Sequence, residues 1–266
     1  MTRFAADALL DDHIVITGAS GGIGWATAIE AVQVGAKVTI NGRRAEQLEA
    51  LKTACEETAS DAQVFIHTGD ITKESDRASL AEQARKTFGP VTKLVNAAGI
   101  IGGGPVEELT ENDLDQVMQA NYNAAVMLTQ TLYPDMKSRG SGAVVNVSSL
   151  SGLRGTYGNT AYSASKFALI GFTQCFALEA IEHGVRVNAV CPGFVDTDMA
   201  RGILSRKAEQ AGLSFDEQWQ LTEDSLPSGR ITTPEEVASS IIFLLTDAAE
   251  NIVGESMKIS GGGVMR

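Results

Sequence analysis

The chain has 266 residues, 44% of them hydrophobic and 20% charged, which is ordinary for a soluble globular protein and ample for a buried core. Its formal charge of -12 argues against nucleic acid as a partner, because binding a polyanion needs clustered Lys and Arg. Glycine, at 27 residues, is enriched enough to suggest tight turns and close backbone approach to a ligand.

Short β-branched runs alternate with longer amphipathic stretches. His13–Thr17 reads as a buried strand and Ile23–Val34 as a helix. Lys37–Asn41 is a second strand, followed by a charged helix over Ala45–Thr58. Further strands are expected at Gln63–His67, Lys93–Asn96, Ala143–Ser148 and Val185–Val190, with helices between, and a short last strand at Met257–Ile259. Apolar strands alternating with helices predict a Rossmann fold: a doubly wound parallel β-sheet flanked by helices on both faces. No Pro/Ser-rich linker or internal repeat divides the chain, so residues 1–266 read as a single domain.

Cys55, Cys175 and Cys191 are odd in number and far apart, which suits buried thiols in a reducing compartment rather than a disulfide framework. His13, His67 and His183 are scattered, so no metal site is expected. The segment Met1–Asp7 has no signal-peptide core, and the longest apolar run, Ile241–Leu245, is far short of a membrane span. A cytoplasmic protein with no membrane partner is the expectation.

Thr17-Gly-Ala-Ser-Gly-Gly-Ile-Gly24 follows the first strand and opens the first helix. Glycine lets the backbone turn sharply and approach a pyrophosphate, while the helix N-terminus offers N–H donors and partial positive charge. The spacing is G-x-x-x-G-x-G rather than the commoner G-x-G-x-x-G. At the end of the second strand, where enzymes that prefer NAD usually place an acid against the ribose 2′-hydroxyl, stands Asn41-Gly-Arg-Arg44. Two guanidiniums and no carboxylate suit a 2′-phosphate, so NADP(H) is favoured and NAD(H) is the alternative.

Tyr162-Ser-Ala-Ser-Lys166 sets a phenol and an ammonium on one face of a helix. A phenol with a pKa of about 10 exchanges protons poorly at neutral pH, and an adjacent cation draws that pKa down.

Taken with these motifs, Asp70, Asn96-Ala-Ala-Gly99, Asn121, Val147-Ser-Ser149, Asn188, Pro192-Gly193, Pro234–Ala238 and Gly261–Gly263 form an ordered set. Over nearly the whole chain this set resembles the short-chain dehydrogenase/reductase family, closest in pattern to its 3-oxoacyl-carrier-protein reductase-like single-domain group. The resemblance implies an NAD(P)-dependent enzyme acting on CH–OH/C=O. Residues 12–110 would mainly bind cofactor, and residues 111–266 would supply catalysis, the substrate loop and oligomer contacts.

It further implies a catalytic set of Asn121, Ser149, Tyr162 and Lys166. Tyr162 would be the general acid in reduction and the general base in oxidation. Lys166 would lower the Tyr162 pKa and bind the nicotinamide ribose. Ser149 would polarise the substrate oxygen, with Ser148 turned the opposite way, and the Asn121 backbone would help hold a water leading to Lys166. Cofactor contacts would come from Gly18, Ser20, Gly21, Gly22, Ile23, Gly24, Arg43 and Arg44. Asp70 and Ile71 would meet the adenine, with a helix N-cap as the other reading of Asp70. Asn96, Ala97 and Gly99 would pass beneath the cofactor, and Pro192, Gly193, Val195 and Thr197 would surround the nicotinamide.

Substrate contacts are expected from Leu150–Thr160, Gly193–Asp198 and Met199–Leu226, with Arg201–Glu223 as a helical lid and Tyr157 and Trp219 as possible pocket or packing residues. A homotetramer, or a homodimer, is implied through the helices around Asn112–Lys137 and Asn159–His183 together with the C-terminal strand. The partner expected is a small-molecule carbonyl or alcohol. Three other readings stand beside it: a 3-oxoacyl-carrier-protein reductase, an NAD-dependent sugar or polyol dehydrogenase, and a non-catalytic nucleotide sensor. Where the carrier-protein subgroup has an arginine, this chain has Leu178, which disfavours carrier docking.

Overall fold

The computed structural model describes residues 3–265. Seven parallel strands form one sheet: β1 (His13–Thr17), β2 (Lys37–Gly42), β3 (Gln63–Thr68), β4 (Lys93–Asn96), β5 (Gly142–Val147), β6 (Val185–Pro192) and β7 (Ser256–Ile259), in the spatial order β3-β2-β1-β4-β5-β6-β7. The helices are α1 (Gly22–Gln33), α2 (Ala45–Thr58), α3 (Glu74–Phe88), α4 (Glu111–Met118), α5 (Ala124–Arg139), α6 (Thr160–Ile181), α7 (Asp198–Ala211), α8 (Phe215–Asp224) and α9 (Pro234–Leu245).

The alternation of side chains along each strand divides the core in two. Ile14, Ile16, Val38 and Ile40 point to the layer holding α1, α2 and α9, where they meet Val32, Leu48, Leu51 and Ile241. Val15, Leu94, Val144 and Val187 point to the layer of α3, α5 and α6, against Leu80, Leu128, Leu132 and Phe176. Each such side chain, once buried, contributes about 1.5–3 kcal/mol, whereas a helix cap contributes about 1 kcal/mol. Covering the two faces of the sheet therefore dominates, and the caps set where helices begin. Thr110, Ser214 and Thr233 each close a capping box with an acid three residues on, at the starts of α4, α8 and α9.

Side chains also tie the layers together. Asn96 Nδ2 donates to Asn146 Oδ1 at 2.9 Å and to Thr129 Oγ1 at 3.1 Å, and Asn146 Nδ2 donates to Thr173 Oγ1 at 2.8 Å. This chain of polar contacts runs from β4 through β5 to α5 and α6. Arg186, buried on β6, donates to the carbonyls of Leu244 and Thr246 at 2.6 and 3.1 Å and so satisfies the C-terminal end of α9.

Several boundaries differ from the sequence reading. The helix expected over Arg201–Glu223 is two helices, α7 and α8, broken at Gly212, whose φ of 68° is a left-handed C-cap. Between α4 and α5 the residues Gln119–Asn123 form a π turn, a local widening of the helix that pattern reading does not register. The 22 residues of α6 are long and apolar enough to cross a membrane by length and composition alone. Its buried residues, among them Leu169, Thr173, Phe176 and Ala177, pack into the core.

Candidate functional site

Strand order reverses between β1 and β4, so the loops leaving those two strands diverge and open a crevice at the carboxyl end of the sheet. Gly18 turns the chain out of β1 with φ +64°, and a Cβ there would stand 2.6 Å from the Ala98 Cα. A Cβ on Gly24 would meet the Gly18 carbonyl oxygen at 2.5 Å. Both positions therefore require glycine. The first helix, α1, has Gly21 as its N-cap, with no side-chain cap and no acid in its first turn, and its first residues line the crevice with their N–H groups uncapped.

One cavity of about 350 Å³ is lined by Gly18, Ser20, Gly21, Gly22, Ile23, Gly24, Arg43, Arg44, Asp70, Ile71, Ala97, Gly99 and Thr197. A second, of about 510 Å³, is lined by Ser149, Tyr162, Lys166, Pro192, Gly193 and Val195. Ile23, Ala97, Gly99, Thr197 and Met199 belong to both walls, so the two form one continuous cleft. Asn96 and Asn121 line neither; both are buried beneath the cleft.

At one end, Arg44 Nη2 donates to the Ser20 carbonyl at 2.6 Å, pinning the glycine turn, while Arg43 is exposed at the wall. Asp70 does not cap a helix, because α3 begins at Glu74 after Lys73. Instead its Oδ1 accepts from the Thr72 N–H at 3.0 Å and the Thr72 hydroxyl at 2.8 Å. Partial burial works to raise the Asp70 pKa, but these two hydrogen bonds and the charge of Arg43 hold it below the ordinary value.

At the other end, Ser149 follows β5 and its hydroxyl accepts from the Ser151 N–H at 3.1 Å. Ser148, expected to turn the opposite way, lines the same cavity, and its hydroxyl donates to the Lys166 carbonyl at 3.1 Å. Lys166 Nζ donates to the Val147 carbonyl at 2.9 Å and lies 5.7 Å from the centre of the Tyr162 ring. Burial pushes the Lys166 pKa down to about 8, and Cys191 works in the opposite direction. Burial raises the Tyr162 pKa, and hydrogen bonding with Ser149 opposes part of that rise. Desolvation is the largest influence on the phenol and acts against the lowering expected from Lys166.

Asn121 sits in the π turn and uses its whole amide. Oδ1 accepts from the Ile100 N–H at 2.7 Å, while Nδ2 donates to the Ile100 carbonyl at 2.9 Å and to Ser165 Oγ at 3.0 Å. It thereby joins the loop after β4 to α6, one residue before Lys166. A Cβ on Gly99 would stand 3.1 Å from Asn121 Oδ1 and 3.4 Å from Lys166 Nζ, which locates all three together.

A family model described as short chain dehydrogenase matches residues 12–208. The chain belongs to the short-chain dehydrogenase family. Levodione reductase of Leifsonia aquatica is 32% identical over 263 residues, covering 98% of this chain and 95% of that protein. The 3-oxoacyl-[acyl-carrier-protein] reductase FabG of Thermotoga maritima is 34% identical over 251 residues, covering 94% and 97%. The crystal structure of levodione reductase superposes with a TM-score of 0.91 at 31% identity, over 98% of both chains. That of L-sorbose reductase from Gluconobacter frateurii, complexed with NADPH and L-sorbose, gives 0.92 at 27% identity over 98% of this chain and 99% of that one. The protein is accordingly an NAD(P)-dependent oxidoreductase acting on CH–OH/C=O. The uncapped helix start, the glycine turn and the exposed Arg43 fit the phosphates of such a dinucleotide.

Sequence reading did not single out Ile101, Arg154, Phe194, Ile203 or Lys207, all of which line the larger cavity. All but Ile101 lie in the segments expected to meet substrate, and no local pattern separates them from their neighbours. Tyr157 lines the cavity while 94% exposed. Trp219 packs instead on Phe215 and under the Arg201 guanidinium, 4.9 Å from the ring centre.

Burial of Lys166 has a consequence for stability. Its folded pKa of about 8 lies below the ordinary 10.5, so between those values the unfolded chain binds more protons and stability rises with pH. Lys166→Met is expected to remove that part of the rise in urea unfolding measured from pH 8 to 10.5; an unchanged slope would mean that Lys166 does not titrate there.

Proposed function

We propose that the protein is a reversible NADP(H)-dependent carbonyl reductase with Tyr162 as the proton-transfer residue. The observation that carries this reading is the convergence of Ser149, Tyr162 and Lys166 on one wall of a cleft that continues to Arg43 and Arg44. When bound, the nicotinamide supplies the hydride in reduction and accepts it in oxidation. The Tyr162 hydroxyl gives its proton to the substrate oxygen in reduction and takes it back in oxidation. The raised phenol pKa favours the protonated, donating form. Ser149, hydrogen-bonded with Tyr162, orients that same oxygen. Lys166 carries a positive charge 5.7 Å from the centre of the Tyr162 ring, and Asn121 holds the β4 loop against the helix that bears it.

Arg43, just past the end of β2, supports NADP(H) over NAD(H), because its exposed guanidinium at the cavity wall can pair with a 2′-phosphate and no carboxylate occupies Asn41–Arg44. The neighbouring structure complexed with NADPH agrees with that reading. Leu178, 73% exposed on α6, offers no charge to an acidic carrier protein, which favours a small-molecule substrate. Leu114, Met127, Phe167, Leu178 and Ile181 are exposed apolar side chains on α4, α5 and α6, and they support a homotetramer or homodimer assembled through those helices.

Three outcomes are expected. Tyr162→Phe should lower kcat by about 100- to 10,000-fold while leaving cofactor binding intact, and near-wild-type turnover would remove Tyr162 from its role. NADPH should exceed NADH in kcat/KM, and Arg43→Ala should narrow the gap; a clear NADH preference would overturn the cofactor assignment. Light scattering should give a mass two or four times 28.0 kDa, whereas a monomer would exclude assembly through this face.

A further inference from the structure

We propose that the substrate is an anionic carbonyl or alcohol, an oxo- or hydroxy-carboxylate whose charged end is held between Arg154 and Lys207. The inference rests on the reductase reading above and narrows it to a substrate class. The larger cavity is walled by three cationic residues, Arg154, Lys166 and Lys207, and by no Asp or Glu among its described residues. In a chain with 33 acidic and 21 basic residues this is the reverse of the overall balance. Lys166 belongs to the proton-transfer end. The other two come from separate elements, Arg154 from the loop before α6 and Lys207 from α7.

The two are also uncommitted, unlike their neighbours. Arg201, on the same helix as Lys207, is held by both Asp196 oxygens at 2.6 and 2.9 Å, and Arg230 is paired with Glu236. Neither Arg154 nor Lys207 forms an ion pair with a described residue. Lys207 Nζ instead lies 5.2 Å from the centre of the Phe194 ring, on the cavity wall. Phe194, Ile203 and Leu226 add apolar wall to the same cavity. That arrangement takes a hydrocarbon segment with a carbonyl at one end and an anion at the other. A cation at a cavity wall attracts an anionic ligand and disfavours a cationic one, which makes it a selectivity device.

The test compares matched substrates: oxo-carboxylates, their methyl esters, and a ketone carrying a phosphate. The wild-type enzyme is expected to favour the acids over the esters in kcat/KM. Lys207→Met and Arg154→Gln should each raise KM for the acids about 5- to 10-fold, leaving the esters and the KM for NADPH unchanged. Calorimetric binding of a saturated carboxylate and its amide, with no turnover involved, should show the same loss for the carboxylate alone. Preference for the phosphorylated ketone over the carboxylates would reassign the anion to phosphate and overturn the carboxylate assignment. Equal turnover of acids and esters, unaffected by both substitutions, would overturn the proposal while leaving the reductase reading intact. A rise in the NADPH KM instead would assign the two cations to the cofactor. Absence of turnover on every carbonyl, with the saturated carboxylate still bound, would count against the reductase reading and not against the anion site.

Discussion

The loops that leave β1 and β4 touch backbone to backbone, Gly18 against Ala98, and the geometry of the cleft follows from that contact. Strand order reverses at this point, so no helix crosses between the two loops. A Cβ at Gly18 would require the β4 loop to retreat. That loop carries Gly99 and Ile100, and Ile100 is the residue whose N–H and carbonyl the Asn121 amide holds. A change at the cofactor end of the cleft is thereby coupled, through one short stretch of backbone, to the helix bearing Tyr162 and Lys166.

That helix is located twice. Near its start, Ser165 Oγ accepts from Asn121, and two turns on, Thr173 Oγ1 accepts from Asn146 in the centre of the sheet. Apolar packing alone would allow α6 to slide or rotate at small cost, since hydrophobic contact is non-directional. Buried amide-to-hydroxyl bonds do not, because breaking one strands a polar group at a cost of about 1–3 kcal/mol. Directional contacts of modest net energy therefore fix the position of Tyr162 relative to Ser149, while the larger apolar term holds the layers together without specifying their register.

The parts of this architecture legible in the sequence are those that depend on near neighbours. The alternation of apolar runs placed the strands to within a residue or two, and the charged helix at Ala45–Thr58 has the limits its pattern predicts. The glycine turn is legible because its chemistry is local. The division of Arg201–Glu223 at Gly212 was available in the sequence as a lone glycine, but charge patterning obscured it. The π turn at Asn121 was not available, because the spacing of apolar residues does not register a local widening of the helix. Nor was the raised Tyr162 pKa: spacing shows that a lysine is near, whereas the depth of burial is a property of the packed chain. That Arg154 and Lys207 line one cavity is likewise tertiary, since 53 positions separate them in the sequence.

Lys166 is the point at which stability and chemistry oppose each other. Taking an ammonium out of water with only a carbonyl partner is unfavourable, and its depressed pKa records that cost. A methionine or leucine would suit the apolar surroundings better. The sheet can carry such a residue because the burial of many Leu, Ile and Val side chains on both its faces exceeds the loss at one position. The placement also has a chemical effect that an exposed lysine would lack. With a pKa of about 8, the side chain remains largely protonated at neutral pH, so the cleft keeps a buried positive charge beside Tyr162. The Val147 carbonyl, a neutral acceptor at 2.9 Å, hydrogen-bonds the charged form and so offsets part of the cost of burying it, without placing a second charge in the core.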